Sequence, residues 1–282
     1  MSSTPFQIVS DLHLETQSSY DLHFKQTAPN LALLGDIGQV ADDAFFHFLE
    51  KQLGRYWNVF LVLGNHEPLS TSWPIAKQRV RYFAEKMERL RAQSTIGRFI
   101  LLDQTRYDVN NTLTVLGCTL FSRVTEDQVA AVSSRLVDFK HIQNWTVEDH
   151  VEAHFSDLLW LNTQVAEVSR AEPHRQIAIF THHSPSLDVR AVDKRHEGST
   201  VSSGFATNLA TEECWTSPSV VMWVFGHTHF NCDFIDEFGK RVVANQRGYA
   251  TAPRNGFDAG KVFLLGSGRE GTSSGTQSML LV

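Results

Sequence analysis

Short apolar runs recur along the chain, and each ends in a small or polar cluster. Their lengths suit buried strands rather than helices, and Val and Ile are frequent in them. The five clearest runs predict strands at Phe6–Ser10, Leu31–Gly35, Val59–Gly64, Ile177–Thr181 and Val220–Gly226. Weaker runs predict three further strands at Leu113–Phe121, Arg241–Ala244 and Lys261–Leu265.

Helical periodicity fills the intervals between these runs. Apolar stripes at helical spacing run through Ala76, Val80, Phe83, Met87 and Leu90, through Val151, Phe155, Leu158, Asn162 and Val165, and through Phe45, Phe48, Leu49 and Gln52. Thr71 or Ser72 can cap the first of these helices, with Pro74 in its first turn. The Asp42-Asp43 pair suits the N-terminus of the third. Strands that alternate with helices indicate an α/β layered fold.

The domain organisation follows from the absence of any clear linker or internal repeat in the sequence. We expect one domain over residues 1–265 and a flexible, Gly/Ser/Thr-rich tail over residues 266–282. The irregular pattern of residues 122–143 predicts an excursion over the active face. The aromatic residues Trp145, Phe155 and Trp160 are expected to belong to the core.

The amino-acid composition argues against membrane proteins, nucleic-acid-binding proteins and thiolate zinc proteins. The 282 residues are 42% hydrophobic and 20% charged, which is typical of a globular protein with a substantial core. No apolar run approaches the roughly 18 residues that span a bilayer, and no signal peptide is evident, so we expect no membrane partner and a cytoplasmic location. The net charge of −6 argues against a nucleic-acid partner. Three cysteines without a C-x-x-C pair predict no thiolate zinc site, whereas 13 histidines suggest imidazole ligands.

Polar side chains follow all five of the clearest predicted strands. They are Asp11 and His13, Asp36, Asn65 and His66, His182 and His183, and His227 and His229. Ligands of open α/β sheets bind at the carboxyl ends of the strands, so these side chains should converge in space. Carboxylate, amide and imidazole donors together suit Mn, Fe or Zn better than Ca²⁺. The set is too large for one tetrahedral ion and suits two ions that share a carboxylate. Glycines before Asp36, Asn65 and His227 would let the backbone turn sharply there.

Taken together, these motifs resemble the calcineurin-like metallophosphoesterases. The family pattern of D-x-H, G-D, G-N-H-[D/E], a single His and G-H-x-H appears here in order, as Asp11-Leu12-His13, Gly35-Asp36, Gly64-Asn65-His66-Glu67, His182 and Gly226-His227-Thr228-His229. The resemblance implies a layered α/β/β/α sandwich with its metal site at the carboxyl ends of the strands.

The resemblance also implies a division of the ligands between two ions. Asp11, His13, Asp36 and His229 would hold one ion; Asp36, Asn65, His182 and His227 would hold the other, with Asp36 bridging. Of the two histidines in T-H-H-S-P, His182 is chosen because it is the first polar residue after the apolar run. His183 would then be a neighbour or a substrate contact.

Our hypothesis for the reaction is attack on phosphorus by a metal-bound hydroxide, without a covalent enzyme intermediate. His66 would assist the leaving group, and Glu67 or the surroundings of Asp36 would orient it. Arg247, which follows a predicted strand, is a candidate substrate contact alongside His183.

The expected substrate is a small phosphodiester, such as a nucleotide. The protein Ser/Thr phosphatase branch carries arginines in patterns like G-D-x-V-D-R-G and R-G-N-H-E, and this chain has neither arginine. The alternatives are a phosphomonoesterase acting on a small metabolite, a DNA nuclease of the same superfamily, and a non-catalytic interaction module. The acidic net charge speaks against the nuclease, and the complete ligand set speaks against the interaction module.

Overall fold

Two mixed β-sheets form the centre of the molecule. The structure is a computed structural model and describes residues 3–250 and 256–266. The strands are β1 Thr4–Val9, β2 Asn30–Leu34, β3 Asn58–Val62, β4 Arg98–Leu101, β5 Thr105–Asp108, β6 Leu113–Cys118, β7 Gln176–Thr181, β8 Val220–Phe225, β9 Cys232–Ile235, β10 Arg241–Ala244 and β11 Val262–Leu265.

Parallel pairing dominates both sheets. The first has the order β11-β1-β2-β3-β4, with β11 the antiparallel strand. The second has the order β5-β6-β7-β8-β10-β9, with antiparallel strands at its two edges. Because β1, β2 and β3 run in one direction, their carboxyl ends lie at one edge of the first sheet. The same holds for β7 and β8 in the second.

The helices begin where local capping chemistry allows. They are α1 Asp43–Leu53, α2 Trp73–Arg91, α3 Val129–Arg135, α4 Asp138–His141, α5 Val147–Ala171 and α6 Glu213–Thr216. The Asp42 side chain accepts from the Ala44 amide at the start of α1, and Thr146 forms a capping box with Asp149 at the start of α5. Ser72 is the N-cap residue of α2, and Pro74 lies in its first turn.

Three buried apolar layers hold the sheets and helices together. In β2, Leu31 and Leu33 face α1 and α2, whereas Ala32 and Leu34 face the second sheet. The outer face of the second sheet packs on α5 and α6, where Trp223 meets Trp215. Because side chains alternate along a strand, each of these strands contributes residues to the apolar layers on both of its faces. The result is an α/β/β/α sandwich, which confirms the predicted fold class.

The predicted elements are confirmed at all eight strand positions and at the three helices. The short edge strands β4, β5 and β9 were missed, because half-buried runs of four residues carry little apolar signal. Residues 122–143 form a 3₁₀ turn followed by α3 and α4. The predicted tail falls, apart from Gly266, outside the described residues. Within residues 3–250 and 256–266, no helix has the length and hydropathy of a membrane-spanning segment.

The buried face of α5 differs from the prediction. Phe155 is 49% exposed, so its assignment to the core is wrong, while Trp145 and Trp160 are partly buried against apolar clusters. The buried face includes three polar residues, His150, His154 and Asp157, besides its apolar ones. His154 Nδ1 lies 2.9 Å from the Leu120 carbonyl, and Asp157 accepts from the Leu120 amide at 2.8 Å. These side chains satisfy the backbone of the loop after β6, a requirement that an apolar periodicity does not reveal.

Candidate metal centre

The loops after five strands bring the predicted site residues together. The Asp11 amide donates to the Gly35 carbonyl at 3.0 Å, which joins the loops after β1 and β2. The Gly226 amide donates to the His182 carbonyl at 2.9 Å, which joins the loops after β7 and β8. The His227 amide in turn donates to Asp11 Oδ1 at 3.0 Å and so links the two sheets. The predicted convergence at the carboxyl ends of the strands is therefore confirmed.

Five of the site residues have left-handed backbone conformations, which non-glycine residues seldom adopt. The φ angles are 53° at Asp11, 46° at His13, 54° at Asp36, 71° at His227 and 53° at His229. Such residues cost free energy and persist only where the surrounding structure holds them, and they cluster at functional sites. The backbone is thus bent so that these side chains point to one place.

Three overlapping groups of side chains each bring their ligand atoms within 4.8 Å of one another. The groups are Asp11, His13 and His229; His13, Asp36 and His66; and Asp36, His182 and His227. Asp36 and His13 each belong to two groups, and of the two only Asp36 is a carboxylate. A carboxylate has two oxygen atoms, so this residue can contribute to two adjacent positions.

In the group around Asp11, His229 Nε2 lies 3.3 Å from Asp11 Oδ1 and 2.9 Å from His13 Nε2. Around Asp36, His182 Nε2 lies 3.4 Å from Asp36 Oδ1 and 3.1 Å from Asn65 Oδ1. All of these side chains are buried except that of His229, which is 25% exposed.

The donor set fits divalent metal ions. His227 belongs to the group with Asp36 and His182. Its Nε2 is buried and has no hydrogen-bond partner among the described residues. Buried polar atoms without a partner are costly, and a metal ion would satisfy this one. Imidazole, carboxylate and amide donors together suit Zn, Mn or Fe.

His182 rather than His183 faces Asp36. His182 Nδ1 lies 2.8 Å from the Leu34 carbonyl, which leaves Nε2 directed at the cluster. His183 is fully buried, and its ring lies 4.2 Å from the ring of His227. Both ring nitrogens of His183 lack a hydrogen-bond partner within residues 3–250 and 256–266. Burial and the neighbouring histidines lower its pKa well below the usual range, so its imidazole is neutral.

Glu67 holds the loops of the site and does not orient His66. Its carboxylate accepts from the amides of Asp36 at 3.0 Å, Ile37 at 2.8 Å and Gly64 at 2.6 Å. Burial and the charge of Asp36 raise its pKa to about 7. The expectation that Glu67 orients the His66 ring is therefore wrong. Asp36 contacts the backbone of His66, since the His66 amide donates to Asp36 Oδ1 at 2.8 Å.

Glu15 orients the His66 ring, although no sequence motif includes it. Its Oε1 lies 2.9 Å from His66 Nδ1 and 3.1 Å from His13 Nδ1. Burial lowers the pKa of His66, but the charge of Asp36 and the Glu15 hydrogen bond outweigh it and raise the pKa to about 9. The available signal was an acidic residue two positions after His13, in the 3₁₀ turn Leu14–Thr16.

Asp138 and Tyr249 also belong to the site without having been predicted. Asp138, in α4, accepts from Asn65 Nδ2 at 2.9 Å, so the 122–143 excursion does reach the active face. The ring of Tyr249 stacks on His13 at 4.3 Å, and its hydroxyl lies 3.3 Å from His66 Nε2. Neither residue stands next to a motif, which is why the sequence alone gave no signal for them.

A cavity of about 510 Å³ opens above the cluster. Its lining includes the mostly buried cluster residues Asp36, Asn65, His66, His227 and His229, the ring of Phe205, which stacks on His227, and the exposed side chains of Arg135, Arg195 and His196. Its volume suits a small-molecule ligand. The described lining does not include His183 or Arg247. Arg247 Nη1 instead donates to the Leu12 carbonyl at 3.3 Å, beside Asp11 and His13.

A model of the calcineurin-like phosphoesterases matches residues 4–231, which is most of the chain. The chain belongs to this family. This chain is 27% identical over 270 residues to the uncharacterised protein L509 of Acanthamoeba polyphaga mimivirus. The aligned region covers 89% of this chain and 92% of L509.

A solved structure shares the fold of this chain. The phosphopantetheinyl hydrolase PptH of Mycobacterium tuberculosis superposes with a TM-score of 0.61 at 16% identity, over 88% of this chain and 90% of that one. A dimetal phosphatase of Danio rerio reaches a TM-score of 0.49 at 14% identity, over 86% and 87% of the two chains.

Gly64 provides a test of how tightly the phosphoesterase site is packed. A Cβ at Gly64 would lie 2.3 Å from Asp36 Oδ1 and 2.7 Å from His182 Cε1, closer than real contacts allow. We therefore expect Gly64→Ala to displace Asp36 and to lower the metal content of the purified protein, measured by plasma mass spectrometry. Gly54→Ala is the matched control, since its Cβ would meet only the carbonyls of α1 at 3.5 Å or more. Equal metal content in the two variants would contradict this packing argument.

Proposed function

We propose that this chain is a dinuclear metal-dependent hydrolase of a small phosphodiester. The observation that carries the proposal is the position of Asp36, whose carboxylate belongs to two groups of ligand atoms at the base of a cavity. A carboxylate shared in this way is what two adjacent metal ions require, and two-metal sites are suited to phosphoester hydrolysis.

In this proposal Asp11, His13, Asp36 and His229 hold one ion, and Asp36, Asn65, His182 and His227 hold the other. The short distances within each set support the assignment, with His13 Nε2 at 3.9 Å from Asp36 Oδ2 in the first set and His182 Nε2 at 3.4 Å from Asp36 Oδ1 in the second. The unpartnered Nε2 of His227 supports it as well. The candidate ions are Mn, Fe or Zn. When bound, the ions polarise the phosphoryl oxygens and activate the attacking water.

His66 is the proposed catalytic residue for the leaving group. Glu15 accepts from its Nδ1, so Nε2 is directed into the cavity beside Asp36. The Tyr249 hydroxyl lies 3.3 Å from that Nε2, a distance at which an oxygen can share a proton with it. We infer that His66 donates a proton to the leaving oxygen and that Glu15 fixes the ring for this transfer. Glu15 acts through another residue and is therefore a positioning residue.

The burial of two positions supports a diester rather than a monoester. In the protein Ser/Thr phosphatase pattern, arginines stand where this chain has Val40 and Leu63. Val40 is fully buried and Leu63 is 1% exposed, both within the apolar cluster beneath the first sheet. No guanidinium enters the site from these two positions, so a doubly charged phosphomonoester loses the contacts that would favour it. A small-molecule substrate also fits the net charge of −6 better than a nucleic acid does.

His183 and Arg247, the two candidate substrate contacts, have a supporting role in this proposal. His183 packs behind His227, and Arg247 supports the loop between Asp11 and His13. In this proposal both residues act indirectly, His183 through its contact with the candidate ligand His227 and Arg247 through its hydrogen bond to the loop that carries Asp11 and His13.

The experiment compares rates on bis(p-nitrophenyl) phosphate and p-nitrophenyl phosphate for protein loaded with Mn, Zn or Fe. We expect faster turnover of the diester, and we expect Asp36→Asn to reduce turnover to background because it removes the shared negative charge. Asp43→Asn, at an exposed residue of α1 that pairs with Arg79, is the matched control. A phosphopantetheinyl ester is added to the panel because PptH, which shares the fold, is named a phosphopantetheinyl hydrolase.

Three results would contradict parts of this proposal. A preference for the monoester would contradict the diester assignment and leave the metal assignment intact. Full activity of Asp36→Asn would contradict the shared carboxylate. Metal binding without turnover of any substrate in the panel would favour a non-catalytic module.

Glu15→Gln tests the positioning of His66. Loss of the anionic partner should lower kcat by about tenfold to a hundredfold, which is at most the low end of what general acid catalysis contributes, because His66 itself is retained. If His66 protonates the leaving group, the loss should be larger for a phenyl ester than for a p-nitrophenyl ester, whose leaving group needs no proton. Glu50→Gln, on an exposed face of α1, is the control. An equal loss for both esters would indicate a purely structural effect of Glu15.

A further inference from the structure

We propose that the outer end of the cavity binds a second anionic group of the substrate, with Arg135 as the principal cation and Arg195 as its neighbour. This inference rests on the proposed function and narrows its substrate class. The substrate would be a phosphodiester that carries a further phosphate on one of its two esterified groups. The observations concern where these arginines lie, what pairs with them and how their loops are held.

The cavity has two chemically different ends. The candidate ligands Asp36, Asn65 and His227 in its lining are buried, whereas Arg135, Arg195 and His196 are exposed and therefore form its outer part. Arg135 ends α3, and Arg195 lies in the 3₁₀ turn Lys194–His196. Two segments that are far apart in sequence therefore bring guanidinium groups to one wall of the same cavity. A ligand that touched both ends would carry one phosphoryl group at the base and one anionic group at the outer wall.

Arg135 has spare hydrogen-bonding capacity. Its Nη1 donates to Thr200 Oγ1 at 3.0 Å, and no ion pair involves it within the described parts of the chain. A guanidinium has five N–H donors, so most of them are available to a ligand. Arg195, by contrast, is paired with Asp193 through Nε at 2.9 Å. The uncompensated positive charge on this wall therefore belongs to Arg135.

The acidic residues of the cavity wall do not neutralise Arg135. Asp36 lies within the histidine cluster, Asp138 accepts from Asn65, and Asp193 is paired with Arg195. Each carboxylate thus has another partner. An anionic group that entered the outer end would meet Arg135 without having to displace a carboxylate from it.

The wall that carries Arg135 is held in place by its own contacts. Val132 and Leu136 pack with Val201 in a small apolar cluster that joins α3 to the facing loop. Gln128 Oε1 accepts from the Ser203 amide and hydroxyl, both at 2.9 Å. The helix end and the loop that form this wall are therefore ordered before a ligand binds, which lowers the cost of binding. Arginine is also the residue that best matches the oxygens of a phosphate, because its fork can donate two parallel hydrogen bonds.

The test compares two probes, thymidine 5′-(p-nitrophenyl phosphate) and the same diester with an added 3′-phosphate. We expect the metal-loaded protein to show a KM about tenfold lower for the phosphorylated probe, the low end of the range for charge-assisted hydrogen bonds. Arg135→Gln should remove this difference between the probes. Arg89→Gln, at an exposed arginine of α2, is the matched control and should preserve it.

A binding measurement separates this inference from the proposed function. Calorimetry with thymidine 5′-phosphate and thymidine 3′,5′-bisphosphate needs no turnover, and the bisphosphate should bind the metal-loaded protein about tenfold tighter. Arg135→Gln should abolish that advantage. Equal affinities in the wild-type protein, or an advantage that survives Arg135→Gln, would overturn the subsite. Absence of turnover together with a retained, Arg135-dependent advantage would overturn the proposed reaction and leave the subsite standing.

Discussion

The site depends on one buried carboxylate, that of Asp36. A buried charge is costly unless it is paired and hydrogen-bonded. Burial alone would raise the pKa of Asp36, but the positive charges of His182 and His66 outweigh it and hold the pKa well below the usual range. The His66 amide adds a direct hydrogen bond at 2.8 Å. The residues around this carboxylate are therefore arranged to stabilise negative charge, which is what a pair of metal ions would also do.

Hydrogen bonds among the surrounding loops hold the Asp36 carboxylate in place. The Glu67 carboxylate accepts hydrogen bonds from the backbone amides of Asp36 and Gly64. One side chain therefore fixes the carboxyl ends of β2 and β3 relative to each other. The left-handed conformations at Asp11, Asp36 and His227 cost free energy that this network has to offset. Glu15 joins two imidazoles from different loops in the same way. Precise placement at the strand ends is thus achieved by carboxylates that bind backbone amides and ring nitrogens.

The core strands and the convergence of the site were predictable from sequence, because buried strands are apolar runs and their ends carry the polar side chains. Residues that act through long-range contacts were not. Asp138 reaches Asn65 from an irregular excursion, and Tyr249 stacks on His13 from a loop near the other end of the chain. The buried face of α5 was misassigned for a related reason. Its His154 and Asp157 are buried because they satisfy a loop backbone, not because they are apolar.

The most direct test of this account is the number and coupling of bound metal ions. Protein loaded with Mn²⁺ would be measured by plasma mass spectrometry and by electron paramagnetic resonance. A carboxylate shared by two sites predicts two ions per chain and a spectrum in which their spins are exchange-coupled. One ion per chain, or two ions with independent spectra, would contradict the claim that Asp36 is shared.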